Sequence, residues 1–124
     1  MECRALGGTV LSVSALSLGG LFVSVAGGPF DRAREAVHHA QSRGVNYIDT
    51  APVYLDNEDE LGRILADSTA PVILSTKSEA RPQPFNPRDP AAPLESFETS
   101  CKLLGRNQID ILMIHEPDRP RQFD

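Results

Sequence analysis

From Ala5 to Phe30 no side chain is charged, and the apolar residues are interrupted mainly by glycine and serine. Gly7-Gly8 predicts the turn of a short N-terminal hairpin. Val13, Ala15 and Ser17 then alternate with Ser14, Leu16 and Leu18 as far as Gly19-Gly20. The stretch reads as two buried strands with glycine turns. Arg4, the apolar run and Ser24-Val25-Ala26 also have the order of a signal peptide. A membrane span fits less well, because glycine and serine dilute the ~20 apolar residues a span needs. The periodic elements that follow favour the globular reading.

After Pro29 the period becomes helical. Ala33, Ala36, Val37 and Ala40 recur at i, i+3, i+4 and i+7, which predicts a helix capped by Asp31, running to about Arg43 and closed by Gly44. Val45 to Asp49 reads as a strand and Thr50 to Asp56 as a loop. Asn57 with Glu60 resembles a capping box, and Leu61, Ile64 and Leu65 form the buried face of the helix it starts. Val72-Ile73-Leu74-Ser75 is a continuous apolar run of the kind buried on both faces of a parallel sheet. Glu79 to Pro93 holds five of the ten prolines and reads as a surface loop, with docking to a recognition domain as the rival. Pro93 suits the first turn of a helix reaching Leu104, with Leu94, Phe97, Cys101 and Leu104 inward and Gly105 ending it. Ile109 to Ile114 is a last apolar strand, followed by His115-Glu116-Pro117-Asp118, and the tail from Arg119 shows no element.

The order is therefore a hairpin and then β, α, β, α, β, α, β. Alternation of this kind implies an α/β fold with a parallel sheet and right-handed crossovers. Reactive groups in such sheets sit beyond the C-terminal ends of the strands. Asp49 closes one strand and Tyr54 lies in the loop after it. Lys77 lies just past the next strand, and His115 follows the last. Four ionisable side chains of different types are thus expected on one rim.

Composition narrows the partners. The 124 residues carry 12 Lys and Arg against 17 Asp and Glu, for a formal net charge of −5, which argues against a general nucleic-acid binder. Cys3 and Cys101 are the only cysteines and make neither a disulfide framework nor a zinc spacing. A reduced, cytoplasmic setting is the expectation, with no membrane partner. The length is that of one domain, and it is short of the roughly 200 residues a closed eightfold β/α barrel needs.

The four rim residues suit acid–base work on a carbonyl. A phenol is a poor acid at neutral pH, and a nearby ammonium stabilises its phenolate. Lys77 could supply that charge to Tyr54, Asp49 could neutralise the buried lysine, and His115 could donate a hydrogen bond to the substrate oxygen. Side chains carry no hydride, so a nicotinamide cofactor is implied. A Schiff-base lysine is the chemical rival.

These segments resemble the aldo-keto reductase family. Met1 to Gly20 is similar to the family's opening hairpin and first barrel strand. Gly44-Val45-Asn46-Tyr47-Ile48-Asp49-Thr50-Ala51-Pro52-Val53-Tyr54 is similar to its most diagnostic segment. Glu58 to Leu65, Ser75-Thr76-Lys77 and Ser100 to His115 match the stretches that follow. The resemblance implies the N-terminal half of a TIM (β/α)8 barrel, with four parallel strands, three helices and a short hairpin in one unit, residues 1–124. It implies Tyr54 as general acid, tuned by Lys77, with Asp49 paired to Lys77 and His115 orienting the carbonyl. It implies NADPH or NADH without metal, with Gly20, Leu21 and Asp49 near the nicotinamide, and a small carbonyl or alcohol as substrate. Leu55 departs from a glycine often found after the tyrosine.

The length is about half of what that barrel needs, and the family's phosphate and adenosine contacts have no counterpart in these residues. A truncated half-barrel is expected, catalytically silent as a lone monomer. One reading is a reductase fragment that acts after assembly with another half. The alternative is an inactive remnant or binding module that keeps the four residues, and the open barrel edges of a half-barrel favour self-association. Among the remaining residues, His115, Glu116 and Asp118 offer no second well-placed histidine for a metal. His38 and His39 read as surface or boundary residues, Cys101 as core and Cys3 as a strand residue.

Overall fold

The computed structural model describes residues 1–78 and 91–115. Strands β1 (Cys3–Ala5) and β2 (Ser12–Ser14) pair antiparallel, with Cys3 opposite Ser14. Gly7 takes a φ of +55° in the connection, a conformation glycine adopts at no steric cost. The hairpin is where the glycines predict it. It is not a pair of buried strands: β1 is exposed throughout, and only Val13 and Ser14 of β2 are buried.

The alternation from Val13 to Leu18 does not make one strand either. Ser14 Oγ donates to Leu16 O at 2.6 Å, a local capture of backbone that competes with a ladder, and only Leu18–Gly19 forms β3. Asn46 joins the hairpin to the main sheet. Its Oδ1 accepts from Ser14 N at 2.7 Å and its Nδ2 donates to Ser12 O at 3.0 Å.

The main sheet is parallel, in the order β3, β4 (Tyr47–Asp49), β5 (Ile73–Ser78), β6 (Ile111–Ile114). Strand order equals chain order, so each crossover moves the sheet one step in the same direction. Gly19 pairs with Asp49, Asp49 with Ser75, and Lys77 with Met113. The crossovers are α1 (Phe30–Ser42), α2 (Asn57–Ala66) and α3 (Ala92–Leu103). Val23, Ala33, Val37, Ile48, Leu61, Ile64, Leu65, Leu74 and Leu104 form the core between helices and sheet. No helix among the described residues is long and apolar enough to cross a membrane.

Helix boundaries follow the sequence closely, and their details differ. Pro29 stands at the cap position of α1, and Asp31 lies in the first turn, where its charge still suits the helix dipole. Gly44 ends that helix with a φ of +86°. Ala36 is exposed, so the inner face of α1 is Ala33 and Val37. Asp56, not Asn57, is the cap residue of α2, and the Asn57 and Glu60 side chains are buried rather than reciprocally capping.

Helix α3 is rotated from its expected facing. Ala92, Ser100 and Leu104 are buried, Leu94 is exposed, and Phe97 and Cys101 are only half-buried. Ser100 turns inward because its hydroxyl donates to the Glu58 carboxylate at 3.0 Å. The Leu103 and Leu104 backbone also lies so close to Gly62 that a Cβ there would stand 2.0 Å from Leu103 O. A close polar contact and a glycine notch set the helix facing here, and the apolar count does not. His38 is half-buried, with Nε2 3.3 Å from Ile64 O, and His39 is exposed.

Candidate active site

The parallel register builds the site. Asp49 ends β4 opposite Ser75 of β5, and Lys77 lies two residues further along, on the same sheet face because strand side chains alternate. Lys77 Nζ donates to Asp49 Oδ2 at 2.8 Å, to Thr50 O at 2.8 Å and to Tyr54 Oη at 3.3 Å. The lysine side chain is 12% exposed and its partner Asp49 27%. The pair is largely withdrawn from water, where one charge without the other would be costly. All three donor directions of the ammonium are used, and one of them is aimed at the phenol.

Tyr54 is placed by two successive turns. Its N–H donates to Ala51 O at 3.0 Å, and its carbonyl accepts from Asn57 N at 3.0 Å. Leu55 between them has a φ of +57°, in the left-handed region. The base of this loop is clamped by Asn57, whose Oδ1 accepts from the Thr50 hydroxyl and whose Nδ2 donates to Val23 O at 2.6 Å. Gly20 sits under that clamp. A Cβ on it would stand 2.5 Å from Asn57 Oδ1 and 2.7 Å from Asp49 O, so the position requires a residue without a side chain.

His115 extends the β6 ladder, donating its N–H to Ser78 O at 3.1 Å. Its ring meets Tyr54 edge-on, with centroids 6.0 Å apart and planes at 87°. The four expected residues therefore converge on one rim: Lys77 joins Asp49 and Tyr54, and His115 stands across the tyrosine ring. Gly20 and Leu21 follow β3 on the same rim, Gly20 buried and Leu21 40% exposed.

Three polar side chains, two on the rim face and one behind the sheet, are not evident as site residues from sequence. Ser75 is fully buried and donates to Asp49 Oδ1 at 2.6 Å, while the Tyr47 hydroxyl contacts Ser75 Oγ at 3.2 Å. On the opposite sheet face, Glu58 is buried and accepts from Thr76 at 2.6 Å and from Ser100. Burial pushes the Glu58 carboxyl above the usual range, against the lowering influence of the two hydroxyls and the Lys77 charge. A period-2 reading around Lys77 points to Ser75. A helical reading that places Glu58 on the stripe of Leu61 and Leu65 points to Glu58.

Cys101, expected in the core, is half-buried, and desolvation, with Glu58 and Glu98 nearby, pushes its thiol up. Among the described residues no three His, Cys, Asp or Glu side chains gather as metal ligands. Glu116 and Asp118, and most of the proline-rich stretch, lie outside the described residues.

A family model described as the aldo/keto reductase family matches residues 15–123. The chain belongs to the aldo/keto reductase family. Pyridoxal 4-dehydrogenase of Microbacterium luteolum is 30% identical, over 99% of this chain and 45% of its own length. The holo form of an aldo-keto reductase from Bacillus halodurans superposes with a TM-score of 0.70 at 29% identity, over 90% of this chain and 37% of that one. An aldo-keto reductase from Klebsiella pneumoniae, solved with NADP and acetate, has the same fold at 21% identity, with a TM-score of 0.70, over 83% of this chain and 35% of that one. The chain thus spans less than half the length of each of these three proteins. Its four parallel strands and three helices form part of the family's (β/α)8 barrel, with the hairpin preceding them.

Proposed function

We propose that this rim reduces a carbonyl to an alcohol, or runs the reverse, with Tyr54 as the proton donor and a nicotinamide dinucleotide as co-substrate. The observation that carries the reading is the Lys77 ammonium, held 2.8 Å from Asp49 Oδ2 and 3.3 Å from Tyr54 Oη. The donor set fits such a cofactor: it holds a proton donor beside a fixed cation, and it contains no group able to give up hydride. Gly20, Leu21 and Asp49 are the residues of this chain that would lie against its nicotinamide. The exposed apolar side chains of Leu21 and Phe22 on that turn suit a planar ring. NADPH or NADH, when bound, supplies hydride to the carbonyl carbon.

The protein groups handle the proton and the charge. The Tyr54 hydroxyl gives its proton to the carbonyl oxygen as negative charge develops there. The phenoxide left behind is stabilised by the Lys77 ammonium, which is already in place and needs no reorganisation. Asp49 balances the lysine and keeps it in position. His115, across the Tyr54 ring, has an imidazole N–H to donate to the same carbonyl oxygen and so sets its orientation. Water then returns a proton to Tyr54. In the reverse direction the phenoxide removes the alcohol proton.

The test is carbonyl-dependent NADPH consumption by the natural polypeptide carrying these residues. Tyr54→Phe should lower turnover by about 10²-fold or more, with cofactor binding retained by fluorescence. Turnover unchanged by Tyr54→Phe defeats the assignment of the acid. No cofactor binding at millimolar concentration defeats the enzyme reading and leaves a module that carries the four residues without turnover.

A further inference from the structure

We infer that Ser75 is a positioning residue for the Lys77–Asp49–Tyr54 group, an inference that rests on the role given to Lys77 and Tyr54 above. A carboxylate has two oxygens, and a lysine can fix only the one it touches. Asp χ2 is a broad torsion with little intrinsic preference. In this protein Lys77 holds Oδ2 at 2.8 Å and Ser75 holds Oδ1 at 2.6 Å. The carboxylate plane is thereby pinned at both ends. The register explains how: Asp49 and Ser75 are direct cross-strand partners, and the pleat brings Lys77 to the same face two residues later.

Ser75 is itself held. It is fully buried, and the Tyr47 hydroxyl donates to its Oγ at 3.2 Å, so the serine proton is free to point at Asp49. Tyr47 lies two residues before Asp49 on β4, on the same face. A line of hydrogen bonds thus runs Tyr47, Ser75, Asp49, Lys77, Tyr54. Removing the serine hydroxyl leaves Asp49 Oδ1 and Tyr47 Oη without these partners and frees the carboxylate to rotate. The ammonium then keeps only Thr50 O as a fixed anchor, and its aim at the phenol loosens.

The experiment reads the Lys77 ammonium directly, by hydrogen exchange at its 15N-labelled Nζ in the intact chain. Ser75→Ala should accelerate that exchange by about tenfold, the equivalent of one hydrogen bond to a charged group. Ser75→Thr, which keeps the donor, should restore the wild-type rate. Tyr47→Phe, which removes only the group behind the serine, should give a smaller acceleration in the same direction. It also serves as the deciding variant if circular dichroism shows that Ser75→Ala does not fold. A folded Ser75→Ala chain with unchanged Lys77 exchange overturns the inference, as does unchanged exchange in Tyr47→Phe where that variant decides. Tyr54→Phe turnover tests the acid without this readout, so failure of the positioning role and failure of the catalytic reading are separate results.

Discussion

Glu58 accepts a 2.6 Å hydrogen bond from Thr76, the residue immediately before Lys77. Successive residues of a strand face opposite sides of the sheet. Lys77 is therefore anchored at the rim by Asp49, while its neighbour is anchored behind the sheet by a carboxylate on α2. Ser100 Oγ on α3 donates to the same carboxylate at 3.0 Å. One buried acid thus joins two helices to the strand that carries the lysine.

That acid makes stability depend on pH in a defined direction. Burial raises the Glu58 carboxyl above the 4.5 of an exposed glutamate. Between 4.5 and its raised value, the folded chain holds a proton that the unfolded chain has released. The slope of unfolding free energy against pH is then negative. This contribution is complete below pH 4.5 and is lost as pH rises through the folded-state value. Urea unfolding at a series of pH values should show the decline in the wild type, and Glu58→Gln should flatten it. An equally steep decline in both proteins would assign it to other groups.

Leu55 has a φ of +57° and is 61% exposed. A left-handed L-residue costs about 1–2 kcal/mol, and a glycine recovers this less its own entropy of about 0.5–1 kcal/mol. Little burial is lost with so exposed a side chain. Leu55→Gly should therefore stabilise the chain by roughly 0.5 kcal/mol, seen as a small rise in Tm. Leu55→Ile, branched at Cβ, should lower it.

Gly62 is the notch in which α2 meets α3. A Cβ on Gly62 would stand 2.0 Å from Leu103 O and 3.0 Å from Leu104 Cα, both backbone atoms that cannot swing aside. Gly62→Ala should destabilise by about 1–3 kcal/mol, as overpacking does elsewhere. Pushing α3 away also stretches the Ser100–Glu58 bond. The loss should appear as a lower denaturation midpoint with unchanged m-value.

Period and punctuation in the sequence carried the element order. The apolar runs at Ile73–Leu74 and Ile111–Ile114, the helical stripe of Leu61, Ile64 and Leu65, and the turns at Gly7 and Gly44 each have a local physical cause. A local cause is readable from neighbours in the chain. The rim set of Asp49, Tyr54, Lys77 and His115 was legible for the same reason. Asp49 ends its strand, and Tyr54 and His115 follow theirs. Lys77, expected just past its strand, lies near the C-terminal end of a β5 that runs on to Ser78. In a parallel sheet all such positions fall at one end.

What depends on pairs distant in the chain was settled only by tertiary structure. The docking of the hairpin on the main sheet depends on Ser14 and Asn46, 32 residues apart. Asn57 looks like a helix cap until Thr50 and Val23 are brought to its amide. The facing of α3 depends on Ser100 reaching Glu58, and the apolar pattern of Leu94, Phe97 and Cys101 pointed the other way. The sequence alone determined that Asp49, Tyr54, Lys77 and His115 stand at the rim, because strand and helix periods are properties of the backbone. Only the packed structure decided which of them touch, because hydrogen bonds between buried polar groups depend on register and interhelical distance.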